Sequence, residues 1–192
     1  MTKIAVIIGS NRQGRMTDKL AVWVAKEVAA KAEAETVDLR DYPMSFFDEQ
    51  ISPRYNPNRQ AAPEVKKWLD KIAEFDGYVI VSPEYNRTMP GVLKNAIDVL
   101  DHQMNDKPVA LVAHGSTGGA QAVASLRLAL PGVGAVTLPQ ALFFTDHVGE
   151  AIDDEGILKA ELADNPYGPQ SSLTGLVDKL VQYADALKAA QA

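Results

Sequence analysis

Residues 78–100 read YVIVSPEYNRTMPGVLKNAIDVL, and this stretch predicts a strand, a polar turn and a helix in succession. The apolar run that starts at Tyr78 is typical of a buried strand, and Pro83 is expected to end it because proline cannot donate to a sheet ladder. Pro90 suits the first position of a helix. The apolar residues that follow recur at helical spacing: Leu93, Ala96, Ile97 and Leu100. A turn at the carboxyl end of such a strand is where open α/β sheets bind ligands.

The same alternation of strand and helix runs through the rest of the chain. The predicted strands are Lys3–Ile8, Glu35–Leu39, Tyr78–Val81, Pro108–Ala113 and Ala135–Leu138. Strands that alternate with helices predict an α/β fold with a parallel sheet and helices on both faces. We therefore expect residues 1–192 to form a single domain, a flavodoxin-like three-layer sandwich with a five-stranded parallel sheet in order 2-1-3-4-5. In that order the turns after strands 1 and 3 are neighbours.

The composition excludes several classes of function. The chain has 19 Lys and Arg against 25 Asp and Glu, a net charge of −6, so it has no basic field that attracts nucleic acid or an anionic membrane surface. It has no cysteine, which excludes disulfides and thiolate nucleophiles. The three histidines show no metal-ligand spacing, so no metal site is predicted. The apolar run Ile4–Ile8 is too short for a signal-peptide core and nothing approaches a membrane span, so a cytoplasmic protein is expected.

The turn after the first strand, Gly9–Thr17, reads GSNRQGRMT and has the features of a phosphate site. Its two glycines allow backbone N–H groups to face inward, and the helix that follows directs the positive end of its dipole to the same place. Arg12 and Arg15 add positive charge, while Ser10 and Thr17 add hydroxyl donors. The alternative is a helix N-terminus with two solvated arginines, but two arginines in one turn of an acidic protein favour a terminal phosphate.

The absence of two known phosphate-binding motifs from this turn limits the class of phosphate ligand that it can bind. A Walker A loop is disfavoured because Arg15 and Met16 stand where Lys and Ser/Thr are required. The dinucleotide fingerprint is absent because Asn11 occupies the place of its second glycine, and we interpret Asp38 as an exposed strand end. A monophosphate such as FMN therefore fits better than a pyrophosphate.

A third turn, His114–Gly119, follows the fourth strand and lies beside the Pro83–Thr88 turn in the predicted order. Its glycines allow main-chain N–H groups to approach the edge of a planar ring, here the pyrimidine edge of a flavin. Gly118-Gly119 has the alternative explanation of a tight helix entry, and His114 that of a packed loop histidine.

Three motifs together resemble the NADPH-dependent FMN reductases, a group that includes quinone, azo-dye and chromate reductases. They are Gly9-Ser10-x-Arg12, Ser82-Pro83-Glu84-Tyr85-Asn86 with the helix start Pro90-Gly91-x-Leu93-Lys94-Asn95-Ala96, and Gly115-x-x-Gly118-Gly119. The resemblance covers roughly residues 3–130. The chain departs from residues common in that family at Arg15, His114 and Gln121.

The resemblance implies where FMN binds. The phosphate is expected at Ser10, Arg12, Arg15, Met16 and Thr17, and the ring at Pro83, Glu84, Tyr85, Asn86, His114, Gly115, Ser116 and Gly118. Main-chain N–H groups of the Pro83–Asn86 turn are expected to face the reduced ring. No side chain is assigned a catalytic role, since the chemistry belongs to the flavin, and Tyr85 shapes the site.

The predicted function is transfer of electrons from NADPH or NADH through FMN to a small acceptor: a quinone, an azo compound, free flavin or a metal oxyanion. Donor and acceptor are expected to use one open face of the ring in turn, which gives ping-pong kinetics. One alternative is a flavodoxin-type electron carrier with a protein partner and no NAD(P)H activity, against which Arg12 and Arg15 argue; another is a flavin-free binding module.

The long loop Asp41–Ala62 carries several aromatic residues, and a loop of this length in a compact domain is usually functional or an interface. A homodimer or homotetramer is expected, with Phe46, Phe47, Tyr55 and the Leu93–Leu100 helix as interface candidates.

Overall fold

The computed structural model describes residues 1–191, and its centre is a parallel five-stranded sheet in the order β2-β1-β3-β4-β5. The strands are β1 (Lys3–Ile8), β2 (Glu33–Asp38), β3 (Gly77–Pro83), β4 (Pro108–His114) and β5 (Val136–Phe144). Every neighbouring pair is parallel. The predicted fold class and strand order are confirmed.

Seven helices surround this sheet within residues 1–191: α1 (Thr17–Ala29), α2 (Pro63–Ala73), α3 (Gly91–Asp98), α4 (Ala120–Ala129), α5 (Val148–Ala151), α6 (Ala160–Ala163) and α7 (Pro169–Ala190). Short 3₁₀ turns lie at Leu39–Asp41, Pro53–Tyr55 and Leu130–Val133. In this described part of the chain, no helix combines the length and the apolar character that crossing a membrane requires.

The helices form one layer on each face of the sheet. Along β1, Ile4 and Val6 face the core that contains α1 and α7, whereas Ala5 and Ile7 face the core that contains α2, α3 and α4. All four of these β1 side chains are buried, which is why β1 is a continuous apolar run rather than an alternating one. The three-layer sandwich follows from this two-sided burial.

The structure extends β3 beyond the predicted end. Gly9 N–H donates to Val81 O over 2.9 Å, so alternate residues of β3 face β1, and Glu84 N–H donates to His114 O over 2.9 Å on the β4 side. Pro83 therefore directs its nitrogen toward β1, whose ladder has already ended at Ile8. No acceptor of β1 is therefore left without a donor, and proline is tolerated as the last residue of the strand.

The sequence interpretation also ended β5 too early, at Leu138, whereas the strand continues to Phe144. Pro139 lies inside it, at a register shift opposite the β4 segment between Val109 and Leu111. Since β5 is an edge strand, a proline at a bulge leaves no neighbouring acceptor without its donor.

Candidate functional site

The turns after β1, β3 and β4 meet around a cavity of about 490 Å³ at the carboxyl end of the sheet. The hydroxyl oxygens of Ser10 and Tyr85 are 2.9 Å apart, which joins the first turn to the second. Thr17 Oγ1 is 2.9 Å from His114 Nε2, which joins α1 to the end of β4. The expected neighbourhood of the turns is confirmed, and the volume is that of a small-molecule site.

The cavity wall contains most, but not all, of the residues that the sequence assigned to cofactor binding. Those that line it are Arg12, Arg15, Met16, Thr17, Pro83, Tyr85, His114, Gly115 and Ser116. The other four are outside this lining: Ser10, Glu84, Gly118 and Asn86, the last of which is exposed and lines a neighbouring cavity. Ser10 is fully buried, where its hydroxyl receives Arg12 N–H over 3.3 Å and contacts Tyr85.

The N-terminus of α1 presents unpartnered backbone donors beside this cavity. Its N-cap residue, Met16, makes no side-chain capping hydrogen bond. In the described part of the chain, the N–H groups of Asn11, Gln13 and Gly14 also have no protein acceptor. Gly14 has φ +66°, and a Cβ there would meet nothing within 4 Å. A helix start with several free N–H groups is suited to an oxyanion such as phosphate.

The two arginines of the first turn have opposite environments. Arg12 is exposed, its guanidinium carbon is 5.9 Å from the centroid of the Tyr85 ring, and it forms no ion pair within residues 1–191. The side chain of Arg15 is only 1% exposed and is paired with both Asp18 and Asp38. Arg12 therefore retains a charge for a ligand, whereas the charge of Arg15 is compensated within the protein.

The interpretation of Asp38 as an exposed strand end was wrong. Its carboxylate receives both terminal nitrogens of Arg15 and the backbone N–H of Arg40. Burial acts to raise the pKa of Asp38, but the hydrogen bonds from Arg15 and Arg40 prevail and hold that pKa below its ordinary value. The pair could not be inferred from spacing, because it depends on β2 lying beside β1.

The turn after β3 is a two-residue reversal closed by reciprocal hydrogen bonds between Tyr85 and Thr88, of 3.0 and 3.1 Å. Asn86 and Arg87 at its centre have φ of +50° and +68°, the left-handed conformation of a type I′ turn. The N–H of Glu84 is engaged by His114 O and that of Tyr85 by Thr88 O. Of the predicted Pro83–Asn86 donors, only Asn86 keeps an N–H without an acceptor among residues 1–191.

Replacing Arg87 with glycine is expected to stabilise the protein by about 0.5–1 kcal/mol, because the left-handed conformation strains any residue with a Cβ. Arg87→Ala is the matched control: it removes the same charge but keeps the Cβ. Urea unfolding of both variants measures the difference. Equal stability of the glycine and alanine variants would show that the turn is not strained at this position.

Glu84 supports the third turn rather than the cavity wall. Its carboxylate accepts the backbone N–H of Gln121 over 2.9 Å, and the hydroxyl of Thr117 lies 3.3 Å from Oε1. Gln121 is in the first turn of α4, where a carboxylate both caps a free N–H and complements the helix dipole. Glu84 therefore fixes the position of the His114–Gly119 turn against β3.

His114 is held in the neutral form. Burial lowers the pKa of His114 to about 4, because desolvation disfavours the imidazolium. With Nε2 against Thr17 Oγ1, the ring fixes the start of α1 at the cavity wall.

This environment predicts a pH dependence of stability. Because the folded pKa is about 4 and the unfolded one about 6.5, the unfolded chain binds the extra proton first as the pH falls through this window. The free energy of unfolding should drop by roughly 2 kcal/mol between pH 7 and pH 5. Urea unfolding of the ligand-free protein and of His114→Asn measures it, and parallel pH profiles would contradict the assignment.

A fourth wall of the cavity was missed by the sequence interpretation. It consists of residues that follow β5, namely Thr145, Asp146, His147 and Val148. The predicted fifth strand ended at Leu138, and no role in the site was predicted for these residues. The signal that locates them is the alternation of buried Leu142 and Phe144 with exposed Phe143, which continues the strand to the level of the cavity.

Comparison with known proteins gives a consistent result. A family model described as NADPH-dependent FMN reductase matches residues 2–150, a span that contains all three turns. An NAD(P)H-dependent FMN reductase of Schizosaccharomyces pombe is 34% identical over 184 residues, covering 85% of this chain and 92% of that protein. A quinone reductase of Escherichia coli is 28% identical over 193 residues, covering 97% of each.

Among solved structures, FerB, a flavoenzyme NAD(P)H:(acceptor) oxidoreductase from Paracoccus denitrificans, superposes with a TM-score of 0.75. Its sequence is 28% identical, and the match covers 97% of this chain and 98% of that one. The likeness therefore extends over the sheet, the helices and the cavity together.

Proposed function

Because the chain belongs to the family of NADPH-dependent FMN reductases, we propose that it passes electrons from NADPH or NADH through bound FMN to a small acceptor. The observation that carries this proposal is the first turn, where Gly14 and Arg12 line a cavity of about 490 Å³. Within residues 1–191, Gly14 N–H has no acceptor and Arg12 has no ion pair. The family match favours an enzyme over an electron carrier. A quinone or an azo compound is the acceptor class we propose, in line with the quinone reductase among the relatives.

The residues of the cavity fit the parts of FMN. The phosphate is assigned to Arg12 and to the backbone around Met16 and Thr17, where positive charge and free N–H groups coincide. The ring would be held by Pro83, Tyr85, His114, Gly115 and Ser116, which line the cavity, and by Asn86, which follows Tyr85 outside that lining. Ser10, Arg15, Glu84 and Gly118 are proposed to contribute by holding these turns. The side chains of the first three form hydrogen bonds within the protein, and Gly118 N–H donates to Gly115 O.

FMN, when bound, supplies a ring that accepts a hydride and releases electrons. The residues of this chain contribute by positioning the ligand and shaping the cavity around it. Tyr85 is fixed through its hydroxyl by Ser10 and lies beside Arg12, so it closes one side of the cavity. His114 is neutral near pH 7, which keeps an additional positive charge away from the ring site. No side chain in the lining is assigned as a general acid or base.

Steady-state kinetics with NADPH and a quinone are expected to be ping-pong. The three turns approach the ligand from one end of the sheet, so donor and acceptor share one open side and must bind in turn. Varying NADPH at several fixed quinone concentrations should give parallel double-reciprocal lines. Intersecting lines would mean that both substrates bind at once in separate places.

We also propose that the protein is a homodimer or homotetramer. Phe46 and Tyr55 of the long loop are each 81% exposed, and Leu128 on α4 is 85% exposed, so all three are available to a second copy. Phe47 instead packs against the core, and the apolar stripe of α3 is buried within the chain. For α3, only the face directed away from the core remains a candidate for the interface.

A monomeric mass by sedimentation at micromolar concentration would reject the oligomer. That residues 1–192 act as one FMN-binding domain, and that the protein is cytoplasmic, stay predictions from the sequence.

A further inference from the structure

We propose that Arg15, held by Asp38, is a positioning residue that turns a backbone N–H of the first turn toward the flavin phosphate. Its charge is not the source of the effect. This inference rests on the proposed function, since it assumes that the phosphate of FMN lies at the N-terminus of α1. It assigns a role to two side chains whose hydrogen bonds are all made within the protein.

The contacts of Arg15 occupy its guanidinium on all sides. Nε donates to Asp18 Oδ1 over 2.7 Å, and Nη1 donates to Asp38 Oδ1 over 2.9 Å. Nη2 completes a bidentate pair with Asp38, and Nη1 also donates to the backbone carbonyl of Ser10. These are four hydrogen bonds, Nη2 also lies 2.6 Å from Asp18 Oδ1, and the side chain is 1% exposed.

Two carboxylates against one guanidinium leave no surplus positive charge in this cluster. A direct attraction between Arg15 and a phosphate is therefore weaker than that of Arg12, which forms no ion pair within the described chain. Charge compensation does not explain the hydrogen bond from Arg15 to Ser10 O, because this acceptor is an uncharged carbonyl. That contact connects the buried arginine to the backbone of the phosphate turn.

The geometry of the peptide unit gives this contact a consequence. In a trans peptide the C=O and the following N–H point in opposite directions. Asp38 ends β2, which lies on the opposite side of β1 from β3 and β4. When Arg15 draws Ser10 O toward Asp38, the N–H of Asn11 must point away from β2. Arg12 and Gly14 of the same turn line the cavity.

A second arginine repeats the arrangement two residues further along. Arg40, just after β2, donates from Nη2 to the carbonyl of Arg12, which turns the N–H of Gln13 in the same sense. Neither Asn11 N–H nor Gln13 N–H has a protein acceptor within residues 1–191. Arg15 and Arg40 thus orient two peptide groups from the β2 side. The N–H groups of these two peptides point away from β2 and remain available to a ligand.

The test uses the difference between the planar guanidinium of arginine, which has several donors, and the compact ammonium group of lysine. Lysine keeps the positive charge but cannot bind Ser10 O and both oxygens of Asp38 together. Arg15→Lys holoenzyme should therefore lose FMN affinity by about ten-fold or more, the effect expected when a hydrogen bond to a charged group is lost. FMN fluorescence recovered on dilution of the holoenzyme gives the dissociation constant.

Arg59→Lys is the matched control. Arg59 is also a buried arginine, with a side chain 6% exposed and bound to Glu49 and Asp101, but it lies in the long loop away from the phosphate turn. Its replacement should leave FMN affinity unchanged. The ³¹P NMR signal of bound FMN supplies a second readout: it should shift in Arg15→Lys and not in Arg59→Lys, because only the first alters donors to the phosphate.

The result that overturns the proposal is an Arg15→Lys protein with wild-type FMN affinity and an unchanged ³¹P signal. If Arg15→Lys does not fold, Asp38→Asn takes its place: weaker FMN binding supports positioning, whereas unchanged or tighter binding contradicts it. A wild-type protein that holds no FMN would instead reject the proposed function, so the two failures are distinguishable.

Discussion

Arg12→Ala is expected to weaken FMN binding about ten- to hundred-fold, the effect of removing a charge-assisted contact worth roughly 1.5–3 kcal/mol. Arg12 is exposed at the cavity wall and forms no ion pair within the described residues, so its whole charge is available to a phosphate. The helix dipole of α1 acts at the same place. Stability should change little, because the side chain is bound by no carboxylate.

The control for this variant is Arg127→Ala. Arg127 lies near the end of α4 and donates to Pro139 O, remote from the cavity lining. Arg59, the other arginine of comparable interest, is unsuitable for truncation to alanine because its loss would leave Glu49 and Asp101 without their partner. Equal FMN affinity in Arg12→Ala and Arg127→Ala would show that the Gly9–Thr17 turn does not hold the phosphate.

Gly119→Ala should destabilise the protein by about 2–5 kcal/mol, the combined effect of a left-handed backbone and an overpacked core position. Gly119 has φ +79°, and an added Cβ would lie 2.5 Å from Ala113 Cβ and 2.7 Å from His114 N. These atoms belong to the end of β4, an inner strand paired with β3 and β5, and cannot move without disturbing its ladder. FMN binding should fall as well, because the His114–Gly119 turn borders the cavity.

Gly132→Ala is the matched control, since its φ is not positive and a Cβ there would meet nothing within 4 Å. Its stability should stay within about 0.5 kcal/mol of wild type. Urea unfolding of the two variants compares them directly. A Gly119→Ala protein as stable as Gly132→Ala would mean that the turn after β4 is not packed as the structure shows.

The fold could be predicted from the sequence because the patterns that determine it are local. The apolar runs of β1 and β3 and the helical spacing of Leu93, Ala96 and Ile97 are each visible in a short window, and all of these residues are buried. What was missed is the outcome of sheet geometry. The predicted fifth strand ended at Leu138, yet β5 continues through Pro139, which lies at a register shift on an edge strand where the ladder needs no donor.

The site was predicted at the level of turns but not of side-chain directions. Its three turns were located because strand order alone brings them together. The orientation of Arg15 was not predicted, because it is set by Asp38, which reaches the first turn only through the pairing of Ile8 with Asp38 across β1 and β2. Contacts between residues far apart in sequence require the register, and no local pattern supplies it.

The same distinction applies to Glu84. Its place in the Pro83–Asn86 motif suggested a contact with the ring, whereas its carboxylate caps α4 by accepting Gln121 N–H. That bond spans two loops whose relative position depends on the β3–β4 pairing.

An anaerobic titration of the purified protein with NADPH shows whether the chain carries FMN and takes electrons from a nicotinamide. We expect a yellow protein that releases FMN on denaturation. Its flavin absorbance band should bleach with about one equivalent of NADPH per bound flavin and recover when a quinone is added. A protein that releases FAD, that stays colourless after incubation with FMN, or whose flavin band does not respond to NADPH or NADH would contradict the proposed function.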